Sequence, residues 1–277
     1  MAVHIIAEIG INHNGDLDIA KRLIDIAAAS GCNSVKFQKR NPDICVPEHQ
    51  KGVMRDTPWG EMTYIDYKHH VEFGKEEYDE IDQYCKDRDI QWSASPWDLD
   101  SLNFLLQYDL PYIKIPSAHL TNHELLKACR DTGKKIILST GMSTVEEIDA
   151  AVTVLAWPPS TEYALLHCNS SYPAPLEELN LACVQTLKDR YECEVGYSGH
   201  EFRIGTTVAT VLLGATYIER HITLDRTMWG SDHLASVEPQ GLFKLVSGVR
   251  EIEKALGDGE IGVTEGEKAV RKKLRGN

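Results

Sequence analysis

The sequence predicts an α/β fold, a (β/α)8 TIM barrel in a single domain. Eight short β-prone runs each precede a helical pattern, polar residues collect at the strand ends, and no G-x-G-x-x-G follows the first strand to suggest a doubly wound sheet. Eight strand and helix units also account for most of the 277 residues.

The strands are read from β-branched and aromatic runs. They are "HIIAEI" from residue 4, "SVKFQ" from 34, "IQWSAS" from 90, "YIKIPS" from 112, "KIILST" from 135, "YALLHC" from 163, "CEVGYS" from 193 and "TYIERHI" from 216. Helical spacing follows over 17–30, 75–88, 98–107, 122–132, 144–155, 176–189, 203–213 and 240–256. Capping boxes Thr121 to Glu124 and Ser143 to Glu146 mark the starts of the fourth and fifth helices. Residues 40–74 carry Pro42, Pro47, Gly52, Pro58 and Gly60, too many breakers for one helix, and predict a loop over the barrel mouth. Residues 1–260 then form the barrel domain, and 261–277 a basic C-terminal tail ending in a solvated helix terminus.

A formal net charge of -13 argues against nucleic acid as a partner, because phosphate backbones need a basic face. A small anion can still bind where a few lysines are focused in one cleft. Seven cysteines, an odd number without a C-x-x-C pair, fit reduced thiols. No apolar run reaches the roughly 20 residues of a membrane span, and Glu8 comes too early for a signal-peptide core. A cytoplasmic protein away from membranes is expected.

Chemistry in such a barrel sits at the C-terminal ends of the strands. There the sequence offers Glu8, Asn12, His13, Lys36, Gln38, Ser93, Ser95, Lys114, Ser117, Ser139, Thr140, Asn169, Ser170, Tyr172, Ser198, His200, Glu219, His221 and Asp232. Lys36 and Lys114 lie in apolar surroundings, and two inward lysines repel unless an anion lies between them. With the hydroxyls at 95, 117, 139 and 198 they read as a cradle for a phosphate or carboxylate. Rim lysines, or a Schiff-base role for Lys114, remain alternatives. His200 and His221, at the ends of neighbouring strands, are a candidate pair for one divalent ion. Cys168 reads as a small buried thiol, His69 and His70 as helix-surface residues, and His167 as packed in a strand. Trp229 reads as a core or lid residue that could instead line a sugar pocket.

The stretches "IAEIGINHNG", "VKFQ", "SASPWD", "IKIPSA", "ILSTGMS", "HCNSSYPAP", "GYSGH" and "IERHITLD" occur in an order that resembles the sialic acid (N-acetylneuraminate) synthase family. The resemblance implies a transferase that condenses phosphoenolpyruvate with an amino-sugar aldehyde such as N-acetylmannosamine, releasing phosphate by C–O cleavage. It implies phosphoenolpyruvate on Lys36, Ser95, Lys114, Ser117, Ser139 and Ser198, and a divalent ion, Mn2+, on His200 and His221. Gln38, Tyr172 and Asp232 would face the acceptor sugar with Ser170 beside them, and Glu8 would lie beside the reacting carbons.

The chain departs from the family pattern at Pro116, Ala118 and His119, at Asn169 and Ser170, at Gly199, and at Ser95 in place of a usual threonine. The acceptor surroundings are therefore expected to differ more than the phosphate contacts. The resemblance covers the barrel domain only, without the small antifreeze-like domain that relatives swap across a dimer. The sugar site is expected to be completed by a homodimer partner, a separate lid-domain chain or the 40–74 loop, or else the acceptor differs. Two rival readings stay open: a pyruvate aldolase using Lys114, and a non-catalytic sugar-phosphate-binding barrel that needs a partner chain.

Overall fold

Alternation along each predicted strand, apolar outward and, toward the C-terminal ends, polar inward, organises the computed structural model, which describes residues 2–158 and 161–276. Asn277, the last residue of the expected tail, lies outside the described residues.

In chain order the elements begin with β1 (His4–Gly10), α1 (Leu17–Ser30) and β2 (Ser34–Lys39). An insertion follows, made of α2 (Pro42–Cys45), α3 (Glu48–Lys51), β3 (Met54–Thr57), β4 (Gly60–Thr63) and α4 (Tyr64–Val71). The barrel resumes with α5 (Lys75–Asp87), β5 (Gln91–Pro96), α6 (Leu99–Leu105), β6 (Ile113–Ile115), α7 (His123–Asp131), β7 (Ile136–Ser139) and α8 (Val145–Ala156). It continues with β8 (Tyr163–Cys168), α9 (Cys183–Tyr191), β9 (Glu194–Gly199), α10 (Gly205–Ala209), β10 (Tyr217–His221), α11 (Pro239–Ala255) and α12 (Glu265–Arg275).

Eight parallel strands lie in the order β5-β2-β1-β10-β9-β8-β7-β6, and the barrel is nearly closed where β5 faces β6. Across that seam the Ser93 hydroxyl donates to the Tyr112 carbonyl at 2.6 Å. The expected eight-stranded fold is present.

Outward side chains such as Val35, Phe37, Trp92 and Ile218 form one helix-packed cluster with the buried face of α1 and α11. Ile113, Ile115, Leu138, Leu165 and Val195 form a second against α7, α8 and α9. Inward, Ile6, Tyr112, Ile137, Leu166 and Tyr217 fill the barrel floor, so the polar residues above them stand on an apolar plug.

Local structure differs from the expectation in four places. The fourth-helix cap is Asn122, whose side chain accepts from the Leu125 N–H at 3.1 Å, and the fifth-helix capping box is Thr144 with Glu147, one residue beyond the predicted pair. Ser143 instead donates its hydroxyl to the Gly141 carbonyl at 3.0 Å. Helix over 176–189 is interrupted, because Asn180 takes a φ of 43° and leaves only a 3-10 turn before α9. Residues 40–74 are no plain loop: their prolines and glycines fall at the joints, with Pro42 opening α2, Gly52 ending α3 and Gly60 in the turn of the β3–β4 hairpin.

The expected basic tail contains α12, which opens with a Thr264–Glu267 capping box and has no buried residue. Among the described residues no helix is long and apolar enough to cross a membrane.

Candidate active site at the C-terminal ends of the barrel strands

Period-two alternation turns Glu8, Lys36, Lys114, Ser139, Cys168, Ser198, Glu219 and His221 into the barrel above the apolar plug, where they share one cavity of about 230 Å³. Gln38, Ser117, Ser170, Tyr172 and His200 complete the predicted residues that line it. Ser95 is fully buried behind Lys36 and reaches the site only through its hydroxyl, 3.1 Å from the ammonium. Asp232 lies beside the cavity, its carboxylate 3.9 Å from His221 Nδ1.

The two lysines are inside, not at the rim: Lys114 is 1% exposed and Lys36 is 3% exposed. The anion that the sequence requires between them is first of all a protein group. Glu219 lies 3.8 Å from Lys36 Nζ and 3.5 Å from Lys114 Nζ, and it accepts the Ser198 hydroxyl at 3.0 Å. Glu8 pairs with Lys36 at 2.8 Å and accepts from the Gln38 amide at 3.0 Å. Lys114 donates to Ser139 Oγ at 2.7 Å.

The two carboxyls are shifted in opposite directions. Burial pushes Glu219 up, but Lys114, Lys36 and the Ser198 hydroxyl outweigh it and hold the carboxyl at about 2. Burial dominates at Glu8 and, with Glu219 nearby, raises it to about 7 against the pull of Lys36. Burial also lowers Lys114 against the attraction of Glu219, whereas at Lys36 the two carboxylates overcome burial and raise it.

On the wall next to Lys114, Ser117 accepts the Gly141 N–H at 2.9 Å. A Cβ at Gly141 would stand 2.4 Å from Ser170 Oγ and 2.8 Å from Ser117 Oγ, so only glycine lets this backbone approach the hydroxyls. Serine hydroxyls beside a lysine suit a tetrahedral oxyanion.

His200 and His221 face each other with ring centroids 5.4 Å apart. His200 donates Nδ1–H to the Asn169 carbonyl at 2.7 Å, which fixes its tautomer and leaves Nε2 free as an electron-pair donor. Burial keeps His221 below its ordinary pKa despite Asp232, so it is a neutral imidazole, and its buried Nδ1 has no hydrogen-bond partner. The pair therefore fits as two nitrogen ligands of a divalent ion. No cluster of three or more His, Cys, Asp or Glu side chains placed to hold an ion occurs among the described residues. Tyr172 stacks over His200 at 4.0 Å and stands 5.8 Å from His221, covering the pair.

Other expectations resolve as follows. Cys168 is buried but lines the cavity. Burial pushes its thiol up, and His200 and Lys114 outweigh that and lower it. His167 packs in its strand and bonds the Leu179 carbonyl at 2.7 Å. His69 meets Asp43, and His70 packs on Trp59. Trp229 stands 5.7 Å from Trp59 and 5.1 Å from Tyr67, clamping the insertion to the loop after β10, and is absent from the cavity lining. The sequence placed Glu219 at a strand end without a role; its signal was position two before His221 on the inward face. Trp97 and Arg40, also at the mouth, were missed because both lie beyond the strand ends.

Residues 23–261 match the model of the NeuB family. The N,N'-diacetyllegionaminic acid synthase of Campylobacter jejuni is 42% identical over 92% of this chain and 78% of its own length. The human N-acetylneuraminate-9-phosphate synthase is 37% identical over 98% of this chain and 76% of its own. Among solved structures, an N-acetylneuraminic acid synthetase from Leptospira borgpetersenii, in complex with citrate, superposes with a TM-score of 0.87 at 36% identity. That alignment covers 100% of this chain and 94% of the other.

Proposed function

Because the chain belongs to the NeuB family, we propose that it condenses phosphoenolpyruvate with an amino-sugar aldehyde to give a nonulosonic acid, releasing phosphate by C–O cleavage. The observation that carries this reading is one cavity with two buried lysines and a set of serine hydroxyls on one wall and a covered histidine pair on the other.

Lys36 and Lys114 neutralise the phosphate and carboxylate of phosphoenolpyruvate, and Ser117, Ser139 and Ser198 fix its orientation, with the Gly141 N–H holding Ser117 in place. A divalent ion such as Mn2+ on His200 and His221 would supply Lewis acidity at the aldehyde oxygen. C3 of phosphoenolpyruvate attacks the aldehyde carbon, and the aldehyde oxygen gains a proton. Water then adds to the cationic C2. Glu8, at the inner end of the Gln38 hydrogen bond, orients that water and takes its proton as the phosphate-bearing C–O bond breaks. Gln38, Ser170, Tyr172 and Asp232 face the acceptor, and Tyr172 and Trp97 restrict access of bulk water.

The charges around Lys114 favour this over a Schiff base, since its ammonium is engaged by Ser139 and by Glu219. Incubation with phosphoenolpyruvate, Mn2+ and a panel of amino-sugar aldehydes should release one phosphate per nonulosonic acid formed. A chelator should stop it. A borohydride-trapped pyruvate adduct on Lys114, or no phosphate release with any amino sugar, would refute the proposal.

A further inference from the structure

A second, smaller cavity of about 120 Å³ opens beside the first and shares Trp97 with it. Two of its lining residues are cations, Arg40 and Lys68. The Arg40 guanidinium lies 4.0 Å over the Trp97 ring and donates to the Gln38 side-chain oxygen. Lys68 Nζ stands 5.2 Å from the Tyr64 ring and 5.0 Å from the Tyr67 ring. Among the described residues neither cation has a carboxylate within 4.0 Å. Glu72, which both feel, is committed to Lys39 at 2.8 Å and to the Arg40 N–H at 3.0 Å. Asp232 is held by Ser231 and faces His221.

Arg55 adds a third positive charge, its guanidinium 4.3 Å from the centre of the Tyr64 ring. Burial and then Arg40 pull Lys68 down to about 8, the response of an ammonium that lacks its counter-ion.

This cation pair lies one side chain from the reaction centre on two walls. Gln38 bridges from Glu8 to Arg40, and Asp232, beside His221, is also felt by Lys68. We propose that the acceptor carries a phosphate on the carbon farthest from its aldehyde, and that Arg40 and Lys68 bind it. This rests on the condensing reaction above and names its substrate class. Overall identity does not decide the point, because the relatives include one synthase named for a 9-phosphate product and one named for diacetyllegionaminic acid. Three of the nine product carbons come from phosphoenolpyruvate, so a phosphate on the last product carbon sits on the sixth carbon of the acceptor. A half-buried cation pair without a carboxylate partner favours the acceptor whose phosphate pairs with it.

The test compares kcat/KM for N-acetylmannosamine 6-phosphate, N-acetylmannosamine and an unphosphorylated 2,4-diacetamido-hexose, each with Mn2+ and saturating phosphoenolpyruvate, and follows the acid product by mass spectrometry. The phosphorylated sugar should be preferred by roughly 30-fold or more, mainly through KM, the size expected for charged hydrogen bonds. Lys68→Met should narrow that ratio at least tenfold and Lys68→Arg should restore most of it. Calorimetric binding of the 6-phosphate, read without turnover, should weaken in parallel in Lys68→Met. Equal use of the sugars, turnover of only the diacetamido-hexose, or a ratio unmoved by Lys68→Met would overturn the inference and leave the condensing reaction standing. Turnover of no amino sugar would remove both.

Discussion

Lys36 and Lys114 are tolerated inside the barrel because Glu219 lies between them, and Glu219 is tolerated because the lysines and the Ser198 hydroxyl hold its charge. Removing one member of such a buried set leaves the others uncompensated, at a cost of about 3 kcal/mol. Glu219→Gln should therefore melt several degrees below the parent protein without ligand. Phosphoenolpyruvate brings its own negative charges to the same lysines, so it should raise the melting temperature of the variant more than that of the parent. Equal ligand-induced shifts in differential scanning fluorimetry would show that the lysines do not depend on Glu219 for their balance.

At the scale of the element, β10 ends on His221 and His200 directly follows β9, and an ion pair behind them fixes the upper ends of both strands. Arg220 stands between Glu219 and His221 on the outward face and is 1% exposed; Glu201 follows His200 and is fully buried. Arg220 bonds the Glu201 backbone carbonyl and lies 3.3 Å from its carboxylate, which also accepts from Thr206 at 2.8 Å, Thr207 at 2.6 Å and Tyr197 at 3.0 Å. Arg220→Met strands that carboxylate and should lower unfolding free energy by about 3–5 kcal/mol. Arg220→Met with Glu201→Gln should recover part of the loss, since the two are coupled. Urea denaturation of the two single variants and the double variant measures the coupling, and strict additivity would show that the pair is not one unit.

For the whole molecule, two histidines that bridge distant parts of the barrel set an acid limit. Burial, with Lys135 and Arg250 adding to it, lowers His4 to about 4. His4 bonds the Ser34 hydroxyl at 2.9 Å near the barrel floor. Burial lowers His13, stacked 3.9 Å from Phe73, to about 3, against the help of the Gly10 carbonyl. Below the ordinary imidazole value near 6.5 the unfolded chain takes up protons that these native side chains refuse, so stability rises with pH through that window. Their contribution is complete above about 6.5 and is lost as pH falls toward 4 and then 3. Glu8, raised to about 7, opposes this between about 4.5 and 7 because its native form binds the extra proton. Comparing His4→Gln/His13→Gln with the parent isolates the histidines: the urea midpoint of the double variant should fall less between pH 7 and pH 5. Parallel falls in both proteins would assign the acid sensitivity elsewhere.

The sequence alone determined the eight strands, their polar ends and hence the barrel, because period-two alternation and helical spacing are local properties that burial reinforces. It also placed Lys36, Lys114, His200 and His221 at the inward strand ends. Cap positions slipped by one residue, as Thr144 with Glu147 shows, since overlapping S/T-x-x-E readings differ only in backbone geometry. Tertiary structure alone decided that Glu219 shares both lysines, that residues 40–74 fold into a hairpin and helices, and that Arg40 and Lys68 meet beside Trp97. These depend on which charges meet across strands and an insertion far apart in the chain. Coulomb interactions and desolvation act through space at distances that no spacing in the sequence encodes.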